Sequence, residues 1–112
     1  MEASIVLVAL PQADGLVKRR PALVLREMRP FGDLLLAGIS TKLHQAVPEF
    51  DELLLAGDQD FVASGLYAPS VVRLGYLAAV ARAKVIGRMG ELPAAWHRAM
   101  LARLCAYLVA AG

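Results

Sequence analysis

Cysteine occurs only once in this chain, at Cys105, among 112 residues. A lone thiol cannot close an internal disulfide, and no partner stands near it to bind a metal. A cytoplasmic location is the resulting expectation. A membrane span is also missing, although 58% of the residues are apolar. The longest charge-free stretch, Phe61 to Val72, contains Gly65, Pro69 and two serines and is too short to cross a bilayer. No charged segment precedes a cleavable apolar run, so nothing predicts secretion. A large excess of one charge is lacking too. The formal net charge of +2 is too small for bulk attraction to a polyanion. What is present is surplus apolar surface on a chain long enough for one domain, residues 1–112, with one core. Surplus of that kind predicts cover by another subunit.

The charges are unevenly placed. Residues 18–29 hold Lys18, Arg19, Arg20, Arg26 and Arg29 against Glu27 alone. Residues 49–60 hold Glu49, Asp51, Glu52, Asp58 and Asp60 with no cation. This pattern predicts one basic face and one acidic, solvated face.

Ile5 to Leu10 reads as a buried strand closed by Pro11, and Asp14-Gly15 marks a turn. Pro21 to Leu25 is a second strand, and Phe31-Gly32-Asp33 turns the chain into a third, Leu34 to Ile39. Residues 42–50 contain Pro48 without periodicity and read as a loop. Leu53-Leu54-Leu55 is a short strand, and Gly57 to Gly65 reads as another loop. Ser70 to Leu74 and Lys84 to Gly87 are two further strands, with a helical turn or a hairpin between them. Pro93 suits a first helical turn. Beyond it Trp96, Met100, Leu101, Leu104, Tyr107 and Leu108 share one face of a helix over about 93–110. Short strands over about 3–90 followed by one helix predict a mainly β, small curved barrel with a C-terminal helix.

The basic trio Lys18-Arg19-Arg20 runs into Pro21 and an apolar strand. A basic cluster there can be a solvated edge that resists sheet aggregation. It can also hold Arg20 at the rim of a rigid sheet, where a guanidinium grips phosphate in a set geometry. The third strand ends in two hydroxyls, Ser40-Thr41. If both strand ends meet, guanidinium and hydroxyl converge on one phosphodiester.

In this order the chain resembles the MazF/PemK toxins of type II toxin–antitoxin systems. The resemblance is carried by Ile5-Val6-Leu7-Val8, Asp14-Gly15, Lys18 to Leu25 and Gly38-Ile39-Ser40-Thr41. Gly65-Leu66, Ser70 to Leu74, Ile86-Gly87 and Gly90-Glu91-Leu92-Pro93 continue it. It implies an SH3-like barrel of the CcdB/PemK type, a homodimer, and an endoribonuclease that cuts single-stranded RNA such as mRNA without metal or other cofactor. It implies a cognate antitoxin whose extended tail covers the RNA groove. The resemblance makes Arg20 and Ser40 catalytic, the latter where the family usually has threonine, with Thr41 able to share the role. Arg73 matches an arginine some members use. Lys18, Arg19, Lys42 and His44 are the candidates for binding flanking RNA.

The chain departs from the family pattern at three places. Ala3-Ser4 replace a frequent Gly-Asp, Ser40 lacks the methyl group that restrains a threonine rotamer, and Gly75 stands where some members carry an aspartate as general base. His44 is the nearest substitute by residue type, since imidazole titrates near neutrality; the alternative is a solvated loop histidine. His97 falls in the apolar stripe of the last helix and reads as a packed, hydrogen-bonded residue. Tyr67 and Phe61 can stack on splayed bases or anchor their loops, the latter being expected. Two other functions stay open. A gyrase poison like CcdB needs a tryptophan-containing tail, whereas this chain ends Val109-Ala110-Ala111-Gly112. A catalytically silent barrel that only binds is the other.

Overall fold

Apolar runs without alternation need cover on both faces, and the fold supplies it. The computed structural model describes residues 1–110. Strands β1 (Ser4–Pro11), β2 (Val17–Met28), β3 (Asp33–Ser40), β4 (Glu52–Leu54), β5 (Ser70–Val80) and β6 (Val85–Glu91) form one antiparallel sheet. Their order is β4-β5-β3-β2-β1-β6. Helix α1 (Gln59–Ser64) follows β4, and α2 (Ala94–Val109) closes the described chain. The sheet is curled, and its two edges are brought together through α1. A Cβ at Gly65 or Gly90 would collide with the backbone of Met89 or Ala63, so these two glycines let α1 lie directly on β6.

Alternation within the strands then serves two cores. Ile5, Leu23, Leu25, Val72 and Leu74 point to one face, where Met100 and Leu104 of α2 cover them. Val6, Val8, Leu10, Ala22, Val24, Leu34 and Leu36 point into the curl and meet the far half of β5. The helix is oriented by His97, which is buried and whose Nε2 donates to the Leu25 carbonyl at 2.8 Å. No helix of the described residues is long and apolar enough to cross a membrane.

Several local expectations are corrected. Strand β2 begins at Val17, so Arg20 lies within the strand opposite Val8 and not at its rim. The segment 57–65 holds helix α1. Residues 75–80 continue β5, and only Arg82–Lys84 form a helical turn. On α2, Tyr107 and Leu108 are exposed by 64% and 67%, because every described residue beyond Leu104 lies outside the core. Tyr67 is 96% exposed and anchors nothing, while Phe61 packs against the core from α1.

The charge segregation is also weaker in space than along the chain. Arg26 pairs with Glu2 at 3.2 Å, and Glu52 pairs with Arg103 at 2.7 Å. Asp51 is not part of a solvated face. It is buried and accepts the backbone N–H groups of Val47 and Leu74 at 3.0 and 2.9 Å. A carboxylate needs such donors to stay inside.

Candidate active site

A β-bulge in β5 builds the site. Gly38 of β3 pairs with Arg73 and the adjacent Ala37 pairs with Leu77, so residues 74–76 of β5 have no opposite number on β3. An odd-numbered insertion reverses which side chains face which side. Val72 and the first bulge residue, Leu74, face α2; the last bulge residue, Tyr76, and Ala78 and Val80 beyond it face the inner core. Arg73 and Tyr76 therefore open on the same cleft, although three positions apart on an ordinary strand would place them on opposite faces.

The other wall comes from β2 and β3. Arg20 shares its face with Ala22 and Val24, just past the end of the inner core, and Ser40 is the last residue of β3. Together with Arg73, Lys42, Gln12, Gln45 and Tyr76 they line a cleft of about 620 Å³. Its lining holds Arg20, Lys42 and Arg73 and no acidic residue. The Nε atoms of Arg20 and Arg73 are buried and lack a hydrogen-bond partner. Buried donors of this kind call for an acceptor from outside the protein. The Ser40 hydroxyl accepts the Lys42 backbone N–H at 3.1 Å, and its own hydrogen remains available to donate. Guanidinium forks and a free hydroxyl hydrogen suit a tetrahedral oxyanion.

The cleft thus gathers Arg20, Ser40, Lys42 and Arg73. Thr41, Lys18, Arg19 and His44 are exposed and do not line it. Arg19 precedes Arg20 within β2, where strand alternation turns it away, and Thr41 lies in the bend just past the end of β3. His44 lies in the helical turn Leu43–Gln45. Sequence reasoning missed Gln12, Gln45 and Tyr76. The signal for Tyr76 was its odd spacing from Arg73 with Gly75 between them, which only a bulge makes meaningful.

A sequence profile described as "PemK-like, MazF-like toxin of type II toxin-antitoxin system" matches residues 2–108. The chain belongs to that family. Toxins of the MazF type are generally endoribonucleases. No curated protein matches the chain. Among solved structures, the Mycobacterium tuberculosis toxin MazF-mt6 is similar at a TM-score of 0.65 and 24% identity, over 96% of this chain and 99% of that one. At that identity the likeness concerns the fold, a curled six-stranded sheet with a C-terminal helix. In this fold Arg20 and Ser40 line one cleft.

Proposed function

We propose that this toxin is an endoribonuclease that cleaves single-stranded RNA within short sequences by attack of the 2′-OH on the adjacent phosphate. The observation that carries the reading is the convergence of Arg20, Arg73, Lys42 and Ser40 on a cleft without a carboxylate. In the reaction the 2′-oxygen bonds to phosphorus as the P–O5′ bond breaks, leaving a 2′,3′-cyclic phosphate. Arg20 and Arg73 stabilise the charge growing on the non-bridging oxygens, the term that usually dominates such catalysis. Ser40 donates to the same phosphate and fixes its orientation. A guanidinium holds its proton too firmly to serve as the base. The lining also offers no carboxylate or imidazole, so the 2′-proton is assigned to solvent and the 5′-oxygen takes a proton back from it. With no carboxylate to hold a cation, the lining favours chemistry without metal.

The same reading includes a cytoplasmic homodimer whose growth-inhibiting activity a cognate antitoxin restrains. Support for the dimer is the exposed apolar end of α2, at Tyr107, Leu108 and Val109, beside exposed Met28. Lys18, Arg19, Thr41 and His44, outside the cleft, are assigned to flanking nucleotides. The open position at Gly75 favours a second reading, a barrel that binds RNA without cutting it. Incubation of long single-stranded RNA with purified protein in EDTA, beside Arg20→Ala, separates the two. Discrete cuts ending in cyclic phosphate, lost in the variant, are expected. Intact RNA with a folded, antitoxin-free protein would favour the binding-only barrel.

A further inference from the structure

The turn between β1 and β2 is latched to the cleft through a chain of hydrogen bonds. The Tyr76 hydroxyl donates to the Pro11 carbonyl at 2.6 Å. Gln12 Nε2 donates to the Leu10 carbonyl at 3.1 Å and to the Tyr76 hydroxyl at 3.4 Å. The Tyr76 ring lies so close to β3 that a Cβ at Gly38 would stand 2.7 Å from it. Ring, hydroxyl and turn are thereby located together at the mouth of the cleft.

This arrangement settles the orientation of the Gln12 amide. The Leu10 carbonyl can only accept, so the nitrogen must face it, and the two N–H groups are both engaged. The carbonyl Oε1 is the polar atom left over, accepting from none of the described residues. Gln12 lines the cleft beside the phosphate-gripping cations. With its nitrogen engaged, Gln12 keeps Oε1 free to accept from a bound nucleotide, and the amide cannot turn over to become a donor without breaking the latch.

We infer that Gln12, held by Tyr76, is a specificity-determining residue that selects a nucleobase by the amine at C6 of adenine or C4 of cytosine. Adenine and cytosine offer a donor where guanine and uracil carry a carbonyl oxygen. At that position of the ring a fixed acceptor attracts the amine and repels the carbonyl oxygen, whereas the N1–H and 2-amine of guanine and the N3–H of uracil stand at other ring positions, outside this contact. Tyr76 is a positioning residue in this scheme, acting through Gln12. The inference rests on the proposed function only in taking RNA as the ligand.

The test uses short RNAs that are 2′-O-methylated throughout, so that binding is read without cleavage. Each position is exchanged in turn between adenosine and inosine, or between cytidine and uridine, and affinity is followed by fluorescence anisotropy at fixed salt. At one position the amine should tighten binding to the wild type by about 5- to 150-fold, the range of a good base contact. Gln12→Met should abolish that difference, and Tyr76→Phe, which keeps the ring, should reduce it. Phosphate affinity from the cations should persist in both variants, as shown by an unchanged salt slope. No preference for the amine at any position, or a preference that survives Gln12→Met, overturns the inference. Cleavage in EDTA without base discrimination leaves the ribonuclease standing and removes this assignment. Discrimination without cleavage does the reverse.

Discussion

Arg20 of β2 and Arg73 of β5 sit on strands that never pair, being separated by β3, yet their buried Nε atoms share one cleft and one deficiency of partners. Like charges held this way oppose folding, and an unsatisfied buried donor costs about 1–3 kcal/mol. Such an arrangement persists at functional sites, where the missing partner is a ligand.

Inorganic phosphate should therefore raise the melting temperature of the wild type more than chloride at equal ionic strength. The increment should shrink in Arg20→Ala and Arg73→Ala, neither of which should melt lower than the wild type in chloride. Cleavage by Arg20→Ala should fall by about 10²–10³-fold, as for removal of a donor to a developing oxyanion. Thermal melts in the two salts and single-turnover rates check both statements.

Gly75 is the position to fill. A side chain there meets no atom within 4 Å of its Cβ, so Gly75→Asp should fold as well as the wild type. The added carboxylate stands in the cleft near Arg73 and supplies the proton acceptor that the lining lacks. Faster cleavage at neutral pH with an unchanged cut sequence is expected. A slower variant would mean that the new charge neutralises the arginines instead.

Asp51 ties the 42–50 loop to the strand that carries the bulge. Asp51→Ala leaves the N–H groups of Val47 and Leu74 without their acceptor. A loss of about 3 kcal/mol is expected in urea unfolding, since two bonds to a buried charge disappear. Activity should fall with it, because Leu74 adjoins Arg73.

Ala3 has φ of 71°, a left-handed backbone held by hydrogen bonds to Val24 and from Leu92. That conformation costs an L-residue about 1–2 kcal/mol, against about 0.5–1 kcal/mol of extra chain entropy for glycine. Ala3→Gly should therefore stabilise the protein by roughly half to one kcal/mol, the difference of those terms. Its melting temperature, measured against the wild type, reads the change.

Most of the architecture was legible in the sequence because it depends on local pattern. The apolar runs of β1, β2 and β3 announce strands buried on both faces, and the 3.6-residue periodicity after Pro93 announces α2. The short helix α1 was not legible. Its six residues carry too little periodicity to separate from a loop, and it is held by contact between Gly65 and β6. Arg20 and Ser40 could be singled out as candidates from strand ends and the resemblance to a family.

Their meeting with Arg73 depended on something no local pattern contains. Residues 74–76 of β5 bulge because β3 offers them no partner, and that offset reverses the faces of every residue beyond it. The amino-acid sequence by itself determined the strands, the closing helix and the cations available. Only the tertiary structure decided that Tyr76 and Gln12 stand with Arg20 and Arg73, while Thr41 and His44 stand outside. Register between strands is a long-range property, set by which two segments pair, and a shift in it moves side chains across a sheet without changing a single residue.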